Sequence, residues 1–166
     1  MKQLRKMTLL STFVVLLSIS CHSDNKVATH RPWYQGYKVK SLLLPSARML
    51  RVYMADTPEK QEKGLSGVKS LKENEGMVFS YKSMTPLRFW MPDTYINLDI
   101  FFMDEKLNVI YIERNVSAHP GRKEPPAIKR TATVRAQMAL ELQHGTEAAK
   151  SIILGQQLKW LNQRIK

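Results

Sequence analysis

From residue 37 onward the apolar residues of this chain come in short runs, and turn formers close most of them within a few positions. That spacing calls for many short strands and few helices. Val39 and Leu42-Leu43-Leu44 make the first run, ended by Pro45-Ser46, and Met49 to Met54 make the second. Asp56-Thr57-Pro58-Glu59 reads as a helix start: Asp or Thr caps, Pro sits in the first turn, and Glu suits the positive end of the dipole. Gly64 closes that short helix. Gly76-Met77-Val78-Phe79, Leu87-Arg88-Phe89-Trp90-Met91 and Leu98 to Met103 read as further strands. Asp104 to Asn108 reads as a hairpin turn into Val109 to Ile112. Val134 to Leu142 resumes a strand pattern, Thr146-Glu147 starts a second short helix through Ile153, and Leu158-Lys159-Trp160 is a last strand. The pattern predicts a mainly β domain, a sandwich or barrel with two short helices.

The segment before this domain reads differently. Lys2, Arg5 and Lys6 precede an uncharged, largely apolar stretch from Met7 to Ser20. That stretch is short of the roughly 20 residues a membrane-spanning helix needs. Basic, apolar, then small (Ser18-Ile19-Ser20) is the order of a secretory signal peptide. Cys21 follows at once and is the only cysteine in the chain, so no disulfide forms within it. Its position is the one that bacterial lipoproteins acylate, although Leu17 stands one place earlier than the usual leucine. The expected organisation is a signal peptide over 1–20, a lipid-anchored tether over 21–36, and one β-domain over 37–166. The protein is then exported and membrane-anchored through lipid at Cys21, facing the periplasm or the cell exterior. The alternative is plain secretion. Trp33 and Tyr34 in the tether are expected to dock onto the domain.

The formal net charge is +12, falling to +9 once Lys2, Arg5 and Lys6 leave with the signal. Such a surface favours anionic partners. Residues 115 to 133, with Pro120, Gly121, Pro125 and Pro126, read as a long loop carrying Arg122, Lys123, Lys129 and Arg130. Loops of that length in compact domains are usually functional or mobile. Anionic lipid or cell-wall polymer fits an exported protein. Nucleic acid does not, and the loop has no interleaved aromatics.

The densest chemistry lies in Phe89-Trp90-Met91-Pro92-Asp93-Thr94 and the following Leu98-Asp99-Ile100-Phe101. A polar turn framed by large apolar groups suits a pocket as well as a buried turn. Arg88, Trp90, Met91, Asp93, Thr94 and Asp99 are the candidate ligand-binding residues. A carboxylate inside an apolar run must be satisfied by donors. Asp99 therefore reads either as a ligand group or as an anchor for the turn at Asp93-Thr94-Tyr95. A rival enzymatic reading pairs Asp99 with Glu113 as acid and base of a cell-wall hydrolase. His119 and His144 stand isolated in sequence, and no His, Cys or Asp spacing suggests a metal site. No nucleophile elbow or phosphate-cradling glycine loop occurs. No cofactor is expected, and a monomer is.

Taken in order, Lys63-Gly64-Leu65, Gly76-Met77-Val78-Phe79, Phe89-Trp90-Met91-x-x-Thr94, Leu98-Asp99-Ile100-x-Phe102, Leu140-Glu141-Leu142 and Gly155 resemble the family called domain of unknown function 192. The resemblance runs from about residue 48 to 161. It implies a compact, jelly-roll-like β fold, often exported or lipid-anchored in prokaryotes, and no agreed activity. Several family positions differ here. Lys63-Gly64-Leu65-Ser66-Gly67-Val68 lacks the family's Met and second Arg, and Pro92-Asp93 replaces Lys-Asn. The loop from Asn115 to Ile128 lacks the family's cysteines, and Gly155-Gln156 replaces Gly-Asp. These losses point to a ligand- or partner-binding module rather than an enzyme.

Overall fold

The computed structural model describes residues 32–161 except Pro125; the expected signal peptide and Cys21 lie outside the described residues. Seven strands form one sheet: β1 (Lys38–Leu43), β2 (Met49–Ala55), β3 (Glu75–Leu87), β4 (Leu98–Met103), β5 (Val109–Val116), β6 (Val134–Gln143) and β7 (Lys159–Leu161). Their order across the sheet is β5-β4-β6-β3-β2-β1-β7. Neighbours run antiparallel except β2 and β3, which are parallel. Parallel pairing needs a crossover, and residues 56–74 supply it with α1 (Pro58–Lys63). Thr57, not Asp56, caps α1: its side chain accepts from Lys60 N at 3.4 Å. Thr146 caps α2 (Glu147–Ser151) in the same way through Ala149 N at 3.2 Å. No helix among the described residues is long and apolar enough to cross a membrane.

The mainly β expectation holds, with two differences in detail. Leu87 closes the long β3 instead of opening a new strand, and residues 89–91 pair only with the loop at 129–131. The second helix stops at Ser151, because Ile152 is already extended at φ −91 and ψ 125. The sheet does not close into a barrel, since β5 and β7 remain its two edges. The chain entering β7 does reach the start of β5, through Val109 N to Gln156 O and Gly155 N to Val109 O, both 2.8 Å.

Side-chain alternation along the strands gives the sheet an apolar layer on each face. One layer gathers Leu42, Leu50, Val52, Val78, Phe101, Met103, Leu140 and Leu142 beneath α2. The other gathers Met77, Phe79, Leu98, Ile100, Phe102 and Ala139, covered by Leu65, Val68, Leu71, Phe89, Met91, Ile96 and Ile128 from the loops. This second layer makes the Phe89–Ile96 segment part of the core's lid. Trp33 and Tyr34 dock on Tyr53, with ring centroids 4.7 and 5.0 Å away.

Gly76, the second residue of β3, has no room for a side chain. A Cβ there would meet Leu142 Cδ2 at 2.5 Å and the Glu141 carbonyl oxygen at 2.9 Å. Backbone cannot yield cheaply inside a central strand pair. Gly76→Ala is expected to cost about 2 kcal/mol through overpacking. Urea denaturation checks this, and a loss under about 0.5 kcal/mol would show that β6 can shift.

Candidate functional site

The candidate residues divide into three groups once the strands are placed. The first is a clasp. Phe89 and Met91 are buried in the lid layer. Met91 N donates to Lys129 O at 3.2 Å, Thr131 N donates to Phe89 O at 3.0 Å, and Phe89 N donates to Thr131 Oγ1 at 3.0 Å. Asp93 sits at φ 54, a left-handed conformation that Asp tolerates better than most residues. Its N–H donates to Gly121 O, and its carbonyl accepts from Gly67 N at 2.8 Å. Thr94 is buried and exchanges two backbone bonds with His119, at 3.2 and 2.9 Å. His119 is itself buried, and its Nε2 lies 2.9 Å from Lys123 O. The turn therefore knits together the loops at 66–67, 119–121 and 129–131. Met91 and Thr94 are buried in that work, and Asp93 serves it through its backbone N–H and carbonyl.

The second group is a surface. Alternation turns Trp90 and Arg88 outward, opposite to Phe89 and Met91. Trp90 is 51 % exposed. The Arg130 guanidinium lies over its ring, 5.0 Å from the centroid. Arg88 Nε donates to Thr131 O at 3.3 Å, which holds its cation on the same ridge. Arg130 also meets Glu124 at 3.7 Å, a long and exposed pair that leaves its charge mostly available. The expected ridge of Arg88 and Trp90 thus gains Arg130 from the basic loop.

The third group surrounds Asp99, on the other face of the sheet. Asp99 pairs with Leu142 of the α2-side layer and shares a face with Phe101. A register shift in the β4–β5 ladder sets both Arg114 and Asn115 against it. The carboxylate is 2 % exposed. It accepts from Asn115 N at 2.8 Å, from His144 Nδ1 at 2.8 Å and from an Arg114 terminal nitrogen at 3.0 Å. The same Arg114 donates to Ala149 O at 2.8 Å and to Ile152 O, so it clips the end of α2 to the sheet. Asp99 is an anchor, but its donors come from β5 and the β6–α2 turn, not from Asp93-Thr94-Tyr95. Nor does it share a site with Trp90. His144 is not isolated either: Asp99 orients its ring, whose side chain is 40 % exposed.

Glu113 is not brought to Asp99. It pairs with Ile100, whose side chain belongs to the opposite layer, and Tyr111 Oη donates to it at 3.3 Å. The acid/base couple of the hydrolase reading is therefore split by the sheet. Sequence reading missed Arg114 altogether, since its partners lie 15, 35 and 38 residues away. It also passed over Glu141 as a site. That residue repeats the Asp99 pattern, a carboxyl between apolar neighbours on a central strand, here Leu140 and Leu142. Burial pushes the Glu141 carboxyl up to about 8.

Comparison with known proteins agrees with this architecture. The model of family DUF192, described as an uncharacterized ACR, matches residues 43–160. No curated protein matches the chain. A crystal structure of a candidate transcription regulator from Sinorhizobium meliloti is 27 % identical with a TM-score of 0.61, over 75 % of this chain and 95 % of that one. A protein of unknown function from Novosphingobium aromaticivorans is 28 % identical with a TM-score of 0.59, over 75 % and 85 % of the two chains.

Proposed function

The chain belongs to the DUF192 family of uncharacterised proteins, and we propose that it is an envelope-located binding module rather than an enzyme. In this reading the signal segment exports it, a lipid at Cys21 tethers it, and the ridge of Arg88, Trp90 and Arg130 contacts an anionic component of the envelope. One observation carries the reading: a half-exposed Trp90 held between hydrogen-bonded neighbours with a guanidinium stacked on its ring. Tryptophan and arginine are the residues most often dominant in binding surfaces. A cation over an aromatic face keeps its in-plane N–H groups for a phosphate or carboxylate. Arg122, Lys123 and Lys129 belong to the same basic loop and add a diffuse attraction.

The test separates anchor from ridge. Mass spectrometry of the mature protein from cells should find Cys21 acylated; an unmodified thiol would end the tether. A Cys21→Ser protein should still sediment with vesicles containing phosphatidylglycerol, or bind a soluble acidic polysaccharide, and whichever arm responds names the component. Adding Trp90→Ala and Arg130→Ala is expected to weaken that binding at least tenfold, with only a modest change in thermal stability because both groups are about half-exposed and neither belongs to the buried core. Equal binding by the triple variant would sink the ridge.

A further inference from the structure

On the outer face of the β1–β2 hairpin, remote in sequence from the Trp90 ridge, lies an open cavity of about 380 Å³. That volume falls in the range of small-molecule sites. Its lining is Val39, Ser41, Met49, Leu50, Arg51 and Asn74, which contains one cation and no acid. Two of its apolar residues are held in water: Met49 is 57 % exposed and Val39 39 %. Strand pairs that face solvent normally place polar residues outward.

Arg51 gives the cavity its chemistry. Its guanidinium stacks over Tyr34 and Tyr53, 5.9 and 5.6 Å from the ring centroids. Those rings are themselves fixed, stacked 5.0 Å apart at 14° with Trp33 edge-on to both. No carboxylate pairs with Arg51 among the described residues. Glu75, opposite Arg51 in the β2–β3 register, is buried and accepts instead from Tyr53 Oη at 3.2 Å. Glu73, which lines the adjoining cavity, is directed to Ala148 N at 3.1 Å. A guanidinium orientated by aromatic stacking, with no carboxylate in ion-pair contact among the described residues, is prepared for a ligand anion.

We propose that this cavity binds a small organic monoanion, its carboxylate against Arg51 and its apolar body against Val39 and Met49. The exposed walls reject a bare inorganic ion, for which Met49 offers nothing. The single cation rejects a polyanion.

Octanoate serves as probe, with acetate as the charge-only control and 1-octanol as the apolar-only control. The full chain carrying Cys21→Ser is titrated by calorimetry and by backbone NMR. Octanoate is expected to bind saturably and to shift the amides of Val39, Met49 and Arg51. Acetate and octanol should bind at least tenfold more weakly. Arg51→Gln should weaken octanoate at least tenfold, and Met49→Ser about fivefold. Met49 is exposed enough that this second variant folds whatever Arg51→Gln does. Trp90→Ala should leave octanoate affinity within about twofold. Octanol binding as tightly as octanoate, shifts confined to residues 88–90 and 130, or wild-type affinity in both cavity variants would each overturn the proposal.

Discussion

Replacing Asp99 by alanine is expected to lower the unfolding free energy by about 3 kcal/mol, the largest loss from any single polar side chain here. The carboxylate is sealed from solvent and meets three donors. Removing it leaves the Asn115 N–H without its acceptor at a register shift, where the ladder offers no replacement. It also strips Arg114 of its counter-charge while that guanidinium still spans to the end of α2. Breaking one partner of such a pair costs more than the pair contributes, because the other group stays desolvated. Arg114 is itself 37 % exposed at the side chain, so water recovers part of the loss and the figure stays near the low end of buried pairs. Urea denaturation at neutral pH measures it. The double variant Asp99→Ala, Arg114→Met should be less destabilised than the two single losses added together. A loss below about 1 kcal/mol for Asp99→Ala would mean that the three donors find water and that the anchor is dispensable.

How much of this was legible beforehand follows from range. The strands were readable because alternation and turn residues act within a few positions, as Thr57-Pro58 and the Asp104-to-Asn108 turn show. The outward pairing of Arg88 with Trp90 was readable for the same reason. The boundary at Leu87 was not, because what extends β3 is the distant pairing of Leu87 with Val134. Asp99 stood out locally as a carboxylate in an apolar run, yet its donors at Arg114 and His144 are set by topology. Glu113 looked available beside Asp99 only until register put it on the other face. Arg51 gave no local signal at all, since its meaning comes from Tyr34 reaching back across the hairpin.

Glu141 gives the sharpest test of how far a shared sequence pattern can mislead. Like Asp99 it interrupts an apolar run on a central strand, and it is 4 % exposed between Met77 and Ile100. Asp99 meets three donors, whereas no cation pairs with Glu141 among the described residues. Burial alone raises its carboxyl from 4.5 to about 8, so the folded chain holds it protonated at neutral pH. The sign follows from proton counts. Below about 4.5 both states are protonated and the group costs nothing. Between 4.5 and 8 the unfolded chain releases the proton and the folded chain keeps it, so stability falls as pH rises. The ceiling is about 4 kcal/mol by pH 8, at 1.36 kcal/mol for each pH unit. The carboxylates with lowered values, Asp56, Glu59, Asp104 and Glu147, carry the opposite sign, adding stability as pH rises, and cannot mimic the effect. Glu141→Gln removes the proton but keeps the shape. Its urea midpoint should be nearly flat from pH 5 to 8 where the parent falls, and at pH 8 the variant should be the more stable by roughly 2 to 4 kcal/mol. A parent midpoint that does not fall over that range would mean that a donor reaches Glu141 in solution. In that case the two carboxylates would be alike after all, each an anchor with its charge met.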